Sequence, residues 1–223
     1  MNKTIFDDVK NLKFKTFEDN RGYFSEIYNK DNLISNGIED HFVQDNESFS
    51  LKKYTLRGLH FQITPFAQSK LVRVIKGSIM DVYVDLRKNS KNYMSYGSTE
   101  LNQDSGYLYI PTGFAHGFVT LEKETLVSYK VNKYYNKDAE LGIKWNDPSF
   151  AIDWSINYSK IILSEKDSNL PLWQEIEGQV DFWGALVTKI NYLITGGYGF
   201  IGSCFIRKLL KNNNNKICNI DKL

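Results

Sequence analysis

Two of the three histidines, with a lysine, a tyrosine and an aspartate, are the side chains in this sequence whose types could carry proton transfer. His60 stands in Arg57-Gly-Leu-His-Phe-Gln62, beside an arginine and a glycine, with Lys70 ten residues further on. Arg, His and Lys gathered at a strand end fit an anionic substrate from which a proton is taken. A hydrogen-bonded barrel histidine with surface cations around it explains the same cluster without any chemistry. His116 lies in Pro111-Thr-Gly-Phe-Ala-His-Gly-Phe118, where Pro and Gly are expected to tighten a turn and aim the imidazole; a turn histidine satisfied locally would read identically. His41, among Glu39, Asp40 and Phe42, reads as a surface residue and is given no role. Tyr129 shares a strand face with Val127 and Val131, so its phenol is expected inside, where it needs a polar partner or a substrate. Asp167, in Leu163-Ser-Glu-Lys-Asp167, sits in a polar stretch where a solvated acid is the default. A metal held by His60, His116 and one acid is disfavoured, because there is no His-x-His pair and no nearby cysteine.

The elements that must hold these groups are strands. From about Phe14 to Trp154 the dominant period is two, broken by short polar turns. In Ile79 to Leu86, Met80, Val82, Val84 and Leu86 face one side and Asp81, Tyr83 and Asp85 the other, which predicts a strand with a single core face. Leu71 to Ile75 precedes it through Lys76-Gly77-Ser78, and the glycine predicts a hairpin. Further strands are expected at Gly106 to Ile110, Gly117 to Leu121 and Thr125 to Lys133, a pattern of a sandwich or small barrel. Within 223 residues there is room for one large domain and a fragment. Lys plus Arg number 28 against 26 acids, so the +2 balance argues against nucleic acid and leaves any anion to a local site. No run of about 18 apolar residues exists for a membrane span, and Met1 to Lys10 lacks the apolar stretch of a secretion signal, so the cytoplasm is expected. Cys204 and Cys218 both lie near the C-terminus, which leaves the first 200 residues to be held by an aromatic-rich core.

After residue 189 the pattern changes. Lys189 to Ile194 reads as an apolar strand, Thr195-Gly-Gly-Tyr-Gly-Phe-Ile-Gly202 as a glycine-rich turn, Ser203 to Leu210 as a helix, and Lys216 to Ile220 as a second strand ending at Asp221. That is one βαβ unit. Residues 173–188, with Trp173 and Phe182-Trp183, are too aromatic for a pure linker and are expected to dock in part on the first domain, 1–172.

The first region resembles the dTDP-4-dehydrorhamnose 3,5-epimerase family. The resemblance rests on Arg21-Gly-Tyr-Phe-Ser-Glu26, Val43-Gln-Asp-Asn46, Arg57-Gly-Leu-His-Phe-Gln62, Gln68-Ser-Lys-Leu-Val-Arg73, Pro111-x-Gly-x-x-His-Gly-Phe118, Tyr129-Lys130, Tyr134-Tyr135, Asp147-Pro148, Ile152-Asp-Trp154 and Leu163-Ser-x-Lys-Asp167, in the family's order. It implies a mainly β cupin fold, a double-stranded β-helix jelly roll, and epimerisation beside a sugar ketone through an enolate, with no redox cofactor or metal. By resemblance His60 is the base, Asp167 its orienting partner, Lys70 the stabiliser of the enolate oxygen and Tyr129 the proton donor to the other face. Arg57 and Arg21 would meet the diphosphate, and Phe17, Glu26, Gln44, Asn46, His116, Phe118 and Tyr135 match positions lining the nucleotide and sugar pocket. Two departures are Phe61, where Tyr is often seen, and Phe66-Ala67. The family's strand-exchanged homodimers imply a dimer here, with pocket residues reaching across. Inversion of one centre only, ketone isomerisation, and a sugar-nucleotide-binding module without turnover remain the competing readings.

The C-terminal segment 189–223 resembles the start of the dTDP-glucose 4,6-dehydratases, extended short-chain dehydrogenases that bind NAD in a Rossmann fold. Gly196, Gly199 and Gly202 would admit the pyrophosphate, and Asp221, nineteen residues past Gly202, would meet a ribose. The remaining strands and a catalytic Tyr and Lys pair do not follow, so no dehydratase activity and at most marginal NAD binding are expected. The resemblance suggests a chain cut from an epimerase-dehydratase fusion.

Overall fold

The computed structural model describes residues 6–13 and 15–182, the backbones of two later strands, and Ser203, Cys204 and Ile206. It divides into two compact units, Met1–Gly184 and Ala185–Leu223.

The first unit is mainly antiparallel β. Its strands are β1 (Lys10–Leu12), β2 (Lys15–Asp19), β3 (Gly22–Glu26), β4 (Gln44–Ser50), β5 (Leu56–Gln62), β6 (Lys70–Lys76), β7 (Ser78–Asp85), β8 (Tyr96–Asn102), β9 (Tyr107–Ile110), β10 (Phe114–Thr120), β11 (Thr125–Val131) and β12 (Glu140–Gly142), with short helices α1 (Lys30–Ser35), α2 (Glu165–Ser168) and α3 (Trp173–Ile176). One five-stranded sheet has the order β1-β9-β6-β11-β4 and the other β12-β5-β10-β7-β8; β2 and β3 form a two-stranded ribbon. Val72, Val74, Ile79, Tyr83, Leu108, Phe114, Phe118 and Val127 fill the space between the sheets. A second core lies on the other face of the β5-β10-β7 sheet, where Leu59, Val82, Val84 and Val119 pack against Ile143, Trp154, Trp173, Ile176, Val180 and Phe182.

That second core corrects the reading of residues 79–86. Both faces of β7 are buried, and Asp81 and Asp85 are fully enclosed. Strand alternation assigned the carboxylates to solvent, whereas the side carrying Asp81 and Tyr83 faces the inter-sheet space and the aliphatic side faces the later chain. The expected hairpin through Gly77 is also corrected. β6 pairs with β11 and β9, while β7 pairs with β10 and β8. Gly77, at φ +84°, turns the chain from one sheet to the other, with no room for a Cβ beside Thr125.

The first unit extends past residue 172. Trp173, Ile176, Val180 and Phe182 are nearly inaccessible, and the buried Asp147 carboxylate accepts the Trp173 backbone N–H. This gives Asp147-Pro148 a structural role, as does Trp154, whose indole N–H donates to the Trp145 carbonyl at 2.9 Å. In the second unit, β13 (Asn191–Thr195) and β14 (Lys216–Ile220) pair in parallel.

Candidate active site

The glycines of Arg57-Gly-Leu-His and His-Gly-Phe let two strands meet unusually closely. A Cβ on Gly58 would fall 2.6 Å from the Gly117 Cα, and one on Gly117 would fall 2.7 Å from the Arg57 carbonyl oxygen. Gly58 also has φ +114°, which strains any other residue. At this contact the β5–β10 register shifts, leaving His60 opposite His116 and Arg57 opposite Phe118. His116 is therefore held mid-strand in β10, not in a turn as expected, because Gly113 makes the turn earlier, at φ +94°.

Both imidazoles point between the sheets into an open cleft of about 1010 Å³, its mouth included. Arg57, His60, Lys70, His116, Phe118, Tyr129, Tyr135 and Asp167 line it. His60 comes from the β5 sheet; Lys70 and Tyr129 come from the facing sheet, on β6 and β11.

Each group has a defined support. His60 Nε2 lies 2.6 Å from Asp167 Oδ1. Asp167 reaches that place because Ser164 caps α2, its hydroxyl accepting the Asp167 N–H at 3.0 Å and donating to Asp167 Oδ2 at 2.9 Å. The Leu-Ser-x-Lys-Asp pattern thus folds an acid into a buried position. Burial works to raise the Asp167 carboxyl, but the hydrogen bonds and charge of His60, with Ser164, outweigh it and hold the acid below its ordinary value. Lys70 is buried; its ammonium donates to the His60 carbonyl at 3.3 Å and lies 3.5 Å from His116 Nδ1. Desolvation lowers its pKa to about 8, against the opposing pull of Asp81 and Glu140. His116 Nε2 lies 2.8 Å from Asp81 Oδ2, and burial leads the causes that depress its pKa, so the ring is neutral and offers Nδ1 toward Lys70. The Tyr129 phenol is pushed upward chiefly by burial, with Arg57 opposing, and so keeps its proton.

Asp81, Glu140 and Lys166 escaped the sequence reading. Alternation pointed Asp81 outward, Lys166 figures only in the Leu-Ser-x-Lys-Asp pattern with no role of its own, and no local pattern distinguishes Glu140. Glu140 Oε2 accepts Lys166 Nζ at 2.7 Å and the Tyr135 hydroxyl at 2.8 Å, while its Oε1 lies 3.6 Å from His60 Nδ1. Gln44 and Asn46 lie on edge strand β4, with Asn46 opposite Tyr129. The Gln44 carboxamide oxygen accepts the Tyr135 N–H at 3.0 Å, a bracing contact. Phe17, Arg21 and Glu26 are not brought to the cleft. They lie on the exposed β2–β3 ribbon, where Arg21 pairs with Asp19 at 2.6 Å. Gly196, Gly199, Gly202 and Asp221 lie outside the described residues. His41 is exposed. Among the described residues no cluster of three His, Cys, Asp or Glu could hold a metal.

Residues 3–175 match the family model described as dTDP-4-dehydrorhamnose 3,5-epimerase. The chain belongs to this family. A dTDP-4-dehydrorhamnose 3,5-epimerase from Sinorhizobium fredii is 46% identical over 74% of this chain and 84% of its own length. The crystal structure of the Bacillus anthracis enzyme with TDP and pyrophosphate bound is 45% identical, covers 77% of this chain and 98% of that one, and superimposes with a TM-score of 0.72. The Legionella pneumophila epimerase in complex with dTDP-4-keto-L-rhamnose is 36% identical, with coverage of 82% and 97% and a TM-score of 0.76. Like its relatives, this epimerase family member is an isomerase.

Proposed function

We propose that the cleft inverts C3 and C5 of dTDP-4-dehydro-6-deoxy-D-glucose, giving dTDP-4-dehydro-L-rhamnose, with His60 as base and Tyr129 as proton donor. One observation carries the assignment of roles: the two groups belong to facing sheets, so a sugar ring between them meets the base on one face and the phenol on the other. Inversion needs that arrangement. The C4 ketone acidifies the neighbouring C–H bonds; His60 takes one proton, and the negative charge moves to the ketone oxygen. The Lys70 ammonium, desolvated and aimed by the His60 carbonyl and His116, stabilises that oxygen. Tyr129 then returns a proton to the opposite face. Asp167 orients His60 through Nε2 and leaves Nδ1 for the substrate. One proton leaves and one arrives, so the step balances without a redox cofactor.

Arg57 hydrogen-bonds to the Phe49 carbonyl at 2.9 Å and the Ser50 hydroxyl at 3.2 Å, which leaves other guanidinium N–H groups for the diphosphate. Phe17, Arg21 and Glu26 complete the nucleotide site from a second copy in a homodimer. The reading is supported by a ribbon that pairs with no other strand among the described residues and exposes Phe17 (51%), Tyr23 (75%) and Phe24 (70%). Residues 189–223 are read as the opening of an NAD-binding Rossmann unit, supported by the parallel pairing of β13 and β14. A cytoplasmic location is part of the same proposal, and among the described residues no helix is long and apolar enough to cross a membrane.

The deciding experiment incubates dTDP-4-dehydro-6-deoxyglucose in D₂O and follows it by NMR, for wild type and His60→Ala. Deuterium is expected at both C3 and C5 with wild type and at neither with the variant. Exchange at one carbon only by the wild type removes the double inversion, and exchange in the variant removes His60 as base.

A further inference from the structure

Double inversion sets a demand that a single inversion does not. After the first proton transfer His60 is protonated and Tyr129 has lost its proton, so the base must be emptied before the second C–H bond can be attacked. Asp167 cannot be the exit, because it is bonded to Nε2 and the proton arrives on Nδ1.

The group facing Nδ1 is Glu140. Its Oε1 is 3.6 Å from that nitrogen, too far for a hydrogen bond, so the Nδ1 lone pair stays uncommitted until a proton arrives. Its other oxygen is bonded to Lys166 and to the Tyr135 hydroxyl, whose side chains reach solvent: Lys166 is 56% exposed along its side chain and Tyr135 is 53% exposed. The Glu140 side chain itself is only 18% exposed. The carboxylate therefore connects the buried side of the base to the surface. Burial works to raise its carboxyl, and the bonds from Lys166 and Tyr135 outweigh that and hold it below its ordinary value, so it is ionised at rest and passes on quickly any proton it takes.

We propose that Glu140 is a proton relay that resets His60 between the two inversions while the sugar nucleotide stays bound. The His60 Nδ1–H bond breaks and a Glu140 Oε1–H bond forms, leaving neutral imidazole and a neutral acid; the acid then gives its proton to water at the mouth of the cleft, and water returns one to the Tyr129 phenolate, which lines the same cleft, so that base and donor are both restored with no net gain or loss of protons. The inference rests on His60 being the base. Without the relay, the bound sugar nucleotide covers His60 from bulk water, and His60 loses its proton only after the half-inverted sugar has left.

The test is product analysis in D₂O at early turnover with Glu140→Gln, which keeps an oxygen for Lys166 and Tyr135 but cannot take the proton. The expected result is a ratio of singly to doubly inverted product at least about tenfold above wild type, with overall turnover reduced by roughly 10²-fold, the low end for a lost acid-base group. Glu140→Asp is expected to restore the wild-type ratio in part, and added formate to do so in Glu140→Ala. An unchanged ratio in Glu140→Gln, whatever happens to kcat or KM, overturns the relay and leaves Glu140 a positioning or binding group. So does the same ratio change in Lys166→Ala, which removes the brace and keeps the carboxylate. His60→Asn, run beside these, separates the two ideas: exchange surviving in it defeats the base assignment independently of the Glu140 ratio.

Discussion

The floor of the cleft and the β2–β3 ribbon carry the two halves of the proposed site, and they are built in opposite ways. His60, His116, Asp81 and Lys70 are anchored in central strands whose partners flank them on both sides, and Asp167 is fixed by a helix cap. Phe17 and Glu26 sit on two strands that, among the described residues, pair only with each other, and Arg21 sits in the turn between them. An isolated two-stranded ribbon is marginal in water, so its conformation depends on what it lies against. The groups proposed to move protons are organised by their own chain, while the three groups proposed to hold the nucleotide are proposed to do so from a second copy. Precision of tenths of an ångström belongs to the first set, and complementarity between subunits to the second.

Substitutions in the two regions should therefore fail differently. His60→Asn is expected to lower kcat by about 10²- to 10⁴-fold with little change in KM, whereas Arg21→Ala should act mainly on KM. Steady-state kinetics on both separate the regions, and a dominant kcat loss in Arg21→Ala would place the ribbon in the chemistry. The pH dependence sharpens the contrast. Lys70, lowered to about 8 by burial, must be protonated to stabilise the enolate, so kcat/KM, which reports the free enzyme, should fall as pH rises through 8. At pH 9 about a tenth of the ammonium form remains. The Arg21 variant should keep that alkaline limb, since nothing in the ribbon touches Lys70. A kcat/KM profile flat to pH 10 would mean that Lys70 is not the stabilising charge.

Subunit mixing tests the comparison directly. If the ribbon completes the neighbour's cleft, a heterodimer of Arg21→Ala with His60→Asn has one intact site and one doubly damaged one. Assayed at substrate well below KM, where both variants are defective, a statistical mixture then recovers roughly a quarter of wild-type activity, since half the dimers are mixed and each has one good site. Recovery no greater than the sum of the two variants would show that each chain uses its own ribbon.

The same division governs what could be read from the sequence. Strands at 107–110 and 125–131 and the inward face of Tyr129 follow from period-two patterning, because those strands have one side toward the inter-sheet core. β7 was misread because both its faces are buried, and alternation cannot tell a second core from solvent; Asp81 was lost with it. The Gly77 corner was misread because a positive φ serves a hairpin and a change of sheet equally well. Asp167 was legible only through the resemblance, since burying an acid depends on Ser164 and His60, which lie 3 and 107 residues away along the chain. Glu140 had no signal, because its three neighbours, His60, Tyr135 and Lys166, are brought together by folding alone.

The smallest effect expected is on stability, and it runs against the effect on activity. The folded chain holds the Lys70 proton less tightly than the unfolded chain does, at about 8 against an ordinary 10.5. The unfolded state therefore binds more protons between those values, and the burden on stability is full below pH 8 and fades as pH rises toward 10.5. Lys70→Met, of similar volume and uncharged, removes it. At pH 7 the variant should be more stable by up to about 3 kcal/mol, or roughly 6–12 °C in Tm for a chain of this size, while turnover is lost. That gain should shrink as thermal melts are repeated toward pH 10. No comparable gain is expected from replacing Arg21, whose guanidinium is solvated. A Lys70→Met variant that melts lower than wild type at pH 7 would show that the ammonium is held by more than the His60 carbonyl and the neutral His116 ring, and that the floor of the cleft is not strained in favour of catalysis.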